Sequence, residues 1–309
     1  MKWFYDEGYD YGAGLPGNPR EIHGLVLRKP SEIRDGLIAA GVVTRPVFRR
    51  PAAVSEEELL AVHERAVVRA LARPSAVARA IEFPDLAALP SEAVWELVVD
   101  PQLSAAGGTC EAMMAAAHGE SAFNLSGGFH HARRDLSHGF CLINDVALAV
   151  MRLRQHGLQR RILIVDLDLH QGDGNAKFFA NDPEVYTLSL HEEDIFPLPK
   201  AHSDLDVGFP ARTGDGTYLQ HLDRALRHVR ECFEPEILVY VAGSDPYAGD
   251  PLGSLQLTRA GLLQRDRRVA RFAREIDCPI VVLPAGGYSD ESPAITAAGF
   301  AAIAATIEG

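Results

Sequence analysis

The stretch ILIVDLDLHQGDG, residues 162–174, decides how the rest of this chain is interpreted. Its first four residues are all apolar, as expected of a strand that is buried on both faces of a parallel sheet. Asp166, Asp168 and His170 follow at every second position, so an extended backbone would turn all three to one side. Two buried carboxylates require a positive charge close by. The stretch therefore predicts a cation site at the carboxyl end of a strand, where open α/β sheets bind ligands.

The composition is that of a globular protein with a full core. The chain has 309 residues, 47% of them hydrophobic, and we expect a single domain over residues 1–309. A net charge of -12, with no basic block, argues against a nucleic-acid partner. No signal-peptide core and no apolar run of about 20 residues is found, so we expect no membrane contact. The 4 cysteines lie far apart, which indicates a reducing, cytoplasmic compartment. The oligomeric state is not determined by these features.

Short β-rich runs alternate with amphipathic segments along most of the chain. We expect strands at 122–125, 162–165, 185–190, 237–241 and 280–283. Helical periodicity occurs at 55–71, 108–117, 145–155, 218–233, 258–275 and 293–307. Ser55 with Glu58, and Asn144, are helix start signals. The alternation predicts a parallel sheet with helices on both faces. The proline-bearing segments 15–50 and 72–103 are interpreted as long loops over one end of the sheet.

Four segments carry polar side chains at the ends of predicted strands. They are GGFHHARRD (127–135), DLDLHQGDG (166–174), AGSDPYAGDPLG (242–253) and AGGYSD (285–290). Because the carboxyl ends of parallel strands meet at one edge of a sheet, we expect these segments to converge. Asp168, His170 and Asp245 would then offer a divalent ion two oxygens and one nitrogen. Three protein ligands leave room for water and substrate, as at a catalytic metal site.

Each of these residues also has an ordinary structural interpretation. The ordinary roles are a helix N-cap for Asp173, exposed loop positions for His130 and His131, a turn at Asp245, and strand-end packing for Tyr288. Asp166 and Asp168 are harder to explain in this way. Two carboxylates at the end of one strand repel each other unless a proton or a cation intervenes. We therefore interpret this pair as functional.

In this order and spacing, the motifs resemble those of the zinc-dependent histone deacetylase family, in the arginase and deacetylase superfamily. The resemblance is carried by GGFHHARRDLSHGFCLINDVALA (127–149), DLDLHQGDG (166–174), SDPYAGDPLGSLQLT (244–258) and AGGY (285–288). It runs from about Val62 to Ala297 and implies a single-domain arginase/deacetylase fold with a parallel sheet of about eight strands. Gln171, the GGT at 107–109 and the short chain resemble the class IV branch and its bacterial relatives. The segments 14–35 and 84–106 match the family's loops poorly.

The resemblance also implies a role for individual residues. The metal ligands correspond to Asp168, His170 and Asp245. The catalytic residues correspond to His130, His131, Asp166, Asp173 and Tyr288. In this scheme Asp166 supports His130, Asp173 supports His131, and the tyrosine stabilises the transition state. The substrate-binding residues correspond to Gly139, Phe140, Phe196, Leu252, Gly286 and Gly287, with the two phenylalanines as walls around the acyl-lysine stem and the leucine at the pocket rim.

The activity implied by the resemblance is removal of an acyl group, acetyl or longer, from an N-acyl-lysine side chain in a peptide or protein. The expected cofactor is Zn²⁺, with Fe²⁺ also compatible with these ligands. A structural K⁺ would be bound by carbonyls near Asp166, Asp168 and His170 with the hydroxyl of Ser189. The acidic run 192–194 is a candidate for the pocket mouth or for a solvated loop.

Three alternatives stay open. The first is a deacylase of small acylated amines such as acetylpolyamines, which Leu252 disfavours because polyamine-selective relatives have a glutamate there. Arginase-like chemistry is disfavoured because a binuclear site needs more ligands than these motifs supply. A catalytically silent metal-binding interaction module is the alternative from another class, although every expected catalytic residue is present.

Overall fold

The structure, a computed structural model, describes residues 1–11, 21–22 and 25–309. Within these residues, eight strands form a central sheet in which all neighbours run parallel, and two form a separate antiparallel pair. In chain order the strands are β1 (Lys2–Phe4), β2 (Glu21–Ile22), β3 (Leu25–Val26), β4 (Phe48–Arg49), β5 (Ala122–Asn124), β6 (Ile162–Asp166), β7 (Val185–Glu192), β8 (Leu205–Phe209), β9 (Ile237–Val241) and β10 (Ile280–Leu283). The sheet order is β4-β1-β5-β10-β9-β6-β7-β8. The predicted parallel sheet is confirmed.

Helices cover the sheet on both faces. They are α1 (Lys29–Ala39), α2 (Glu56–Val62), α3 (Arg65–Ala70), α4 (Pro74–Ala80), α5 (Ser91–Val94), α6 (Asp100–Ala117), α7 (Asp145–Gln155), α8 (Asp173–Phe179), α9 (Asp215–Cys232), α10 (Arg259–Glu275) and α11 (Ser292–Glu308). They pack in two groups, α2 with α6 and α7, and α1 with α9, α10 and α11. Every residue of β6 and β9 is buried, which requires cover on both faces. In residues 1–11, 21–22 and 25–309, no helix has both the length and the hydropathy needed to cross a bilayer.

The five predicted strands are confirmed, and the ends of β9 and β10 agree with the prediction. Ser55 and Asn144 cap α2 and α7 as expected, with side chains that accept hydrogen bonds from the amides of Glu58 and Ala147. The predicted helix at 55–71 is instead two helices. The backbone becomes extended at His63, whose buried ring bridges Arg133 O and the amide of Asn144.

The interpretation of 15–50 and 72–103 as loops was wrong for the described residues; 15–20 and 23–24 lie outside them. These segments contain α1, α4, α5, the edge strand β4 and the first turn of α6. Periodicity missed the start of α6 because this Ala- and Gly-rich helix is buried nearly all round and has no polar stripe. β1 and β4 were missed because they are three and two residues long.

Candidate active site

The strand order brings the four polar segments together. β5, β10, β9 and β6 are consecutive neighbours in the sheet, and each of them ends at the same edge because all are parallel. The loop that follows each strand is one of the four motifs. The convergence expected from the sequence is therefore observed.

Asp168, His170 and Asp245 form a compact buried cluster. One ligand atom from each lies within 4.8 Å of the others. His170 Nδ1 is 3.3 Å from Asp168 Oδ1 and 3.2 Å from Asp245 Oδ2. The backbone orients both carboxylates, since the amide of Leu169 donates to Asp245 and that of Gly286 donates to Asp168. Two oxygens and one imidazole nitrogen suit a divalent transition metal.

The electrostatics of the cluster also favour a cation. Burial raises the pKa of Asp245 to about 7, and the charge of Asp168 contributes to the increase. Burial lowers the pKa of His170, but hydrogen bonds to Asp168 and Asp245 outweigh it and raise that pKa to about 10. The two carboxylates thus draw a proton onto the imidazole at neutral pH. A divalent ion fits this donor set because it would supply the same positive charge to both carboxylates at once.

Two histidine–carboxylate pairs lie beside the cluster. Nδ1 of His130 is 2.8 Å from Oδ2 of Asp166, and Nδ1 of His131 is 2.8 Å from Oδ1 of Asp173. All four side chains are buried. The structure thereby separates Asp166 from the two aspartates of the cluster that could hold a metal ion, although alternation alone would have grouped it with Asp168. The ordinary interpretation of Asp173 as an N-cap is wrong, because Gly172 occupies the N-cap of α8.

The two imidazoles have opposite proton affinities. Their ring centroids are 4.1 Å apart, so they repel each other when both are protonated. Burial lowers the pKa of His130, but the charges of Asp166 and Asp168 outweigh it and raise that pKa to about 9. Burial, together with the charge on His130, lowers the pKa of His131 to about 3 despite its bond to Asp173. Without a bound ion, these opposite pKa shifts favour a protonated His130 beside a neutral His131 at neutral pH.

Tyr288 and Phe140 line the pocket next to these histidines. The Tyr288 ring lies 5.6 Å from Phe140 and 6.3 Å from His170, measured between centroids. Burial, with the charges of Asp245 and Asp168, raises the pKa of Tyr288 well above its ordinary value, so its hydroxyl keeps its proton. Phe196 lies 4.9 Å from His131. A cavity of about 100 Å³ extends from His130 and His131 to Tyr288.

Glycines allow the close packing around this pocket. Gly139 has φ +56, and a Cβ there would lie 2.7 Å from Cδ2 of His131 and 2.8 Å from Cε1 of Phe196. A Cβ at Gly286 would lie 2.4 Å from Oδ2 of Asp245, and Gly287 has φ +132. Gly139, Gly286 and Gly287 all line the cavity with Phe140. Leu252 and Phe196 are among the exposed large hydrophobic side chains.

The family model of the histone deacetylase domain matches residues 25–304 of this chain. The chain belongs to the histone deacetylase family. The match begins well before Val62, where the sequence motifs first suggested it. The class IV-like branch stays a prediction.

Similar proteins agree with this assignment. Histone deacetylase 2 of Arabidopsis thaliana is 35% identical over 301 residues, which cover 95% of this chain and 76% of that protein. An uncharacterised protein of Picosynechococcus sp. is 44% identical over 193 residues, which cover 62% of this chain and 64% of that protein. The solved structure of an HDAC homologue complexed with SAHA has a TM-score of 0.76 and 26% identity, and covers 100% of this chain and 84% of that one.

Sequence reasoning missed Lys29, which this histone deacetylase family member contributes from the start of α1. Its Nζ donates hydrogen bonds to Ala285 O at 2.8 Å and Gly286 O at 2.7 Å, in the loop that carries Tyr288. Burial lowers the pKa of Lys29 to about 8, against the opposing charge of Asp245. Lys29 was missed because it lies in the segment 15–50, which was predicted to be a loop, and because the carbonyls that it binds are about 255 residues away along the chain.

Two residues around Asp173 were also missed. The guanidinium of Arg133 donates to Oδ2 of Asp173 through Nε at 2.7 Å. Nε2 of His138 lies 3.3 Å from the same oxygen but without hydrogen-bond alignment. Burial raises the pKa of Asp173, yet contacts with His131 and His138 outweigh it and hold this pKa well below its usual range. The motifs HARRD and SHGF contain both residues, so their proximity to the predicted site was the available signal.

The expectation for the acidic run was wrong at one of its three positions. Glu192 is buried and accepts a hydrogen bond from the amide of Ser254 at 2.9 Å, so it does not add charge to the pocket mouth. Glu193 and Asp194 are exposed.

Proposed function

We propose that this protein is a metal-dependent amidohydrolase that removes an acyl group from the lysine side chain of a peptide or protein. One observation carries the proposal: two carboxylate-backed histidines, a cluster of three side chains that could hold a metal and a half-buried tyrosine meet at one edge of the sheet. Membership of the histone deacetylase family supports deacylation as the chemistry.

Asp168, His170 and Asp245 would hold the metal, which we propose to be Zn²⁺, with Fe²⁺ as the other ion suited to these donors. When bound, such an ion supplies Lewis acidity towards an amide carbonyl and lowers the pKa of water from 15.7 to about 7. The same proposal includes a structural K⁺ near Ser189. This serine is buried and lies opposite Asp166 in the register of β6 and β7.

His131 is proposed as the general base and acid. Its Nδ1 faces the ionised Asp173, so Nδ1 carries the proton and Nε2 keeps a free lone pair. The low pKa of His131 keeps that lone pair available at neutral pH. Nε2 would accept a proton from the attacking water and pass it to the departing lysine amine. Protonated His130, held by Asp166, would orient and stabilise the developing negative charge.

The Tyr288 hydroxyl is proposed as the donor to the oxyanion of the tetrahedral intermediate. Its raised pKa supports this role, since only the protonated hydroxyl can donate. Phe140 and Phe196 would clasp the methylene stem of the lysine, and Leu252 would contact the substrate at the rim. An apolar rim supports an acyl-lysine substrate over an acetylpolyamine, whose extra ammonium groups would need an acidic partner.

The proposal is tested with peptides that carry acetyl-, propionyl- and longer acyl-lysine, with Zn²⁺ restored after chelation. We expect turnover that disappears on chelation, returns with the ion, and is inhibited by SAHA, the ligand named for the solved HDAC homologue. Acetylated polyamines are the comparison substrates, and turnover of these alone would shift the proposal to small amines. No turnover of any substrate by a folded, metal-loaded sample would refute the activity and favour a binding module.

A further inference from the structure

The loop that carries Tyr288 has little conformational restraint of its own. Gly286 and Gly287 precede the tyrosine directly, and Gly287 has φ +132, a region that other residues rarely adopt. Because two consecutive glycines allow many backbone conformations, the residues before them restrict the orientation of Tyr288 only weakly. The direction of the Tyr288 side chain therefore depends on contacts made from elsewhere in the protein.

Asp250 supplies such a contact on the far side of the glycines. Its Oδ2 accepts hydrogen bonds from the amide of Tyr288 at 2.7 Å and from the amide of Ser289 at 3.1 Å. Its other oxygen accepts from the amide of Leu252 at 3.1 Å, which holds the carboxylate plane in one orientation. Asp250 is 6% exposed, so water competes little for these bonds. Charge-assisted bonds of this kind are roughly twice as strong as neutral ones.

The loop is thus held at two points. Lys29 binds the carbonyl oxygens of Ala285 and Gly286 before the flexible pair, and Asp250 binds the amides that follow it. The lysine cannot orient Tyr288 by itself, because Gly287 lies between its contacts and the tyrosine. Asp250, in contrast, bonds to the tyrosine's own backbone nitrogen.

We infer that Asp250 is a positioning residue for catalysis: it sets the place of the Tyr288 hydroxyl and, through the amide of Leu252, couples it to the rim of the pocket. The inference rests on the role proposed above for Tyr288. Asp250 does not itself face the reacting amide; its effect reaches the chemistry through the tyrosine. Loss of Asp250 therefore acts mainly on kcat, through the tyrosine, while the lost hydrogen bond to the amide of Leu252 at the rim changes KM only modestly.

The test is a double-mutant cycle on the metal-loaded full chain, with kcat and KM measured on an acetyl-lysine peptide. A displacement of about 1 Å can cost about 100-fold in rate, and we expect Asp250→Ala to lower kcat by roughly 10- to 100-fold, with KM changed less than about threefold. In a Tyr288→Phe background the same substitution should lower kcat by less than about threefold, because the hydroxyl it positions is gone. Asp250→Asn, which keeps an oxygen for the two amides, should retain most of kcat.

Glu192→Ala is the matched control. Glu192 is also buried and also accepts a hydrogen bond from a backbone amide, that of Ser254 in the segment that carries Asp250, but its hydrogen bonds go to Ser254 and not to Tyr288. Glu192→Ala should change kcat by the same factor in the wild-type protein and in the Tyr288→Phe variant. Full multiplicativity of Asp250→Ala with Tyr288→Phe, or a loss below about threefold from Asp250→Ala in the wild-type background, would overturn the inference.

Hydrogen exchange of the backbone amides tests the positioning role of Asp250 independently of enzyme activity. In Asp250→Ala, and to a smaller extent in Asp250→Asn, the amides of residues 287–290 should exchange faster than in the wild type, while those of β9 are unchanged. Unchanged exchange in this segment refutes the positioning role even if the enzyme is active. A wild type without deacylase activity, or a fully active Tyr288→Phe, refutes the proposed function, and the exchange result then still decides whether Asp250 orders the tyrosine.

Discussion

Gly139→Ala should displace His131, the proposed general base, or the ring of Phe196. The added Cβ would lie 2.7 Å from Cδ2 of His131 and 2.8 Å from Cε1 of Phe196. Carbon atoms in contact prefer separations of about 3.5 Å or more, so one ring or the backbone must move by roughly 0.8 Å. A catalytic group misplaced by about 1 Å costs about 100-fold. We expect kcat on an acetyl-lysine peptide to fall by roughly 30- to 100-fold.

The left-handed backbone at Gly139 destabilises any other residue at this position, and this loss of stability must be separated from the effect of the steric clash. Any L-residue in this conformation loses about 1–2 kcal/mol. Gly157→Ala is the matched control, since Gly157 has φ +74 and nothing lies within 4 Å of the added Cβ. Gly157→Ala should lower the free energy of unfolding by about 1–2 kcal/mol and leave kcat unchanged. Gly139→Ala should lose at least as much stability and, in addition, its activity.

The two glycine variants are compared by denaturant unfolding and by steady-state kinetics on metal-loaded protein. The reasoning fails if Gly139→Ala matches Gly157→Ala in both stability and kcat, because the contacts with His131 and Phe196 would then be soft enough to absorb a methyl group.

Three further predictions concern the site itself. Tyr288→Phe should keep the bound zinc and the fold but lower kcat by about 100- to 1,000-fold, the usual loss of one oxyanion donor; near-normal turnover would exclude this role. Asp173→Asn should lower kcat by about 10⁴-fold, because an amide that donates to Nδ1 of His131 stabilises the tautomer without a free Nε2 lone pair. A loss of kcat below tenfold, at unchanged zinc content, would contradict the assignment of His131 as the base. Zinc should raise the unfolding temperature of the wild type, since a ligand that binds only the native state stabilises it, whereas Asp245→Ala should abolish that rise; an equal rise in both proteins, measured by calorimetry, would place the ion elsewhere.

The prediction succeeded where local pattern and parallel topology sufficed. The apolar run before Asp166 gives β6, and the carboxyl ends of parallel strands must share an edge, so Asp168, His170 and Asp245 meet although the last is 75 residues away from the histidine. The histidine pairs were predicted from the motif resemblance, not from spacing. Periodicity failed for α1, whose buried face includes Pro30 and Arg34 and so is not continuously apolar, and for the start of α6, where burial nearly all round removes the polar stripe on which it depends.

The sequence alone therefore determined the five strands that form the centre of the sheet, their parallel arrangement and the edge at which the polar motifs collect, because these depend on residues that are near neighbours along the chain. Tertiary structure alone decided the contacts that neither local pattern nor the motif resemblance indicated. It turned Glu192 inward and brought Lys29 and Asp250 to the two sides of the Tyr288 loop. Such contacts depend on how helices and loops pack over the sheet edge, and the periodicity of a single segment carries no information about that packing.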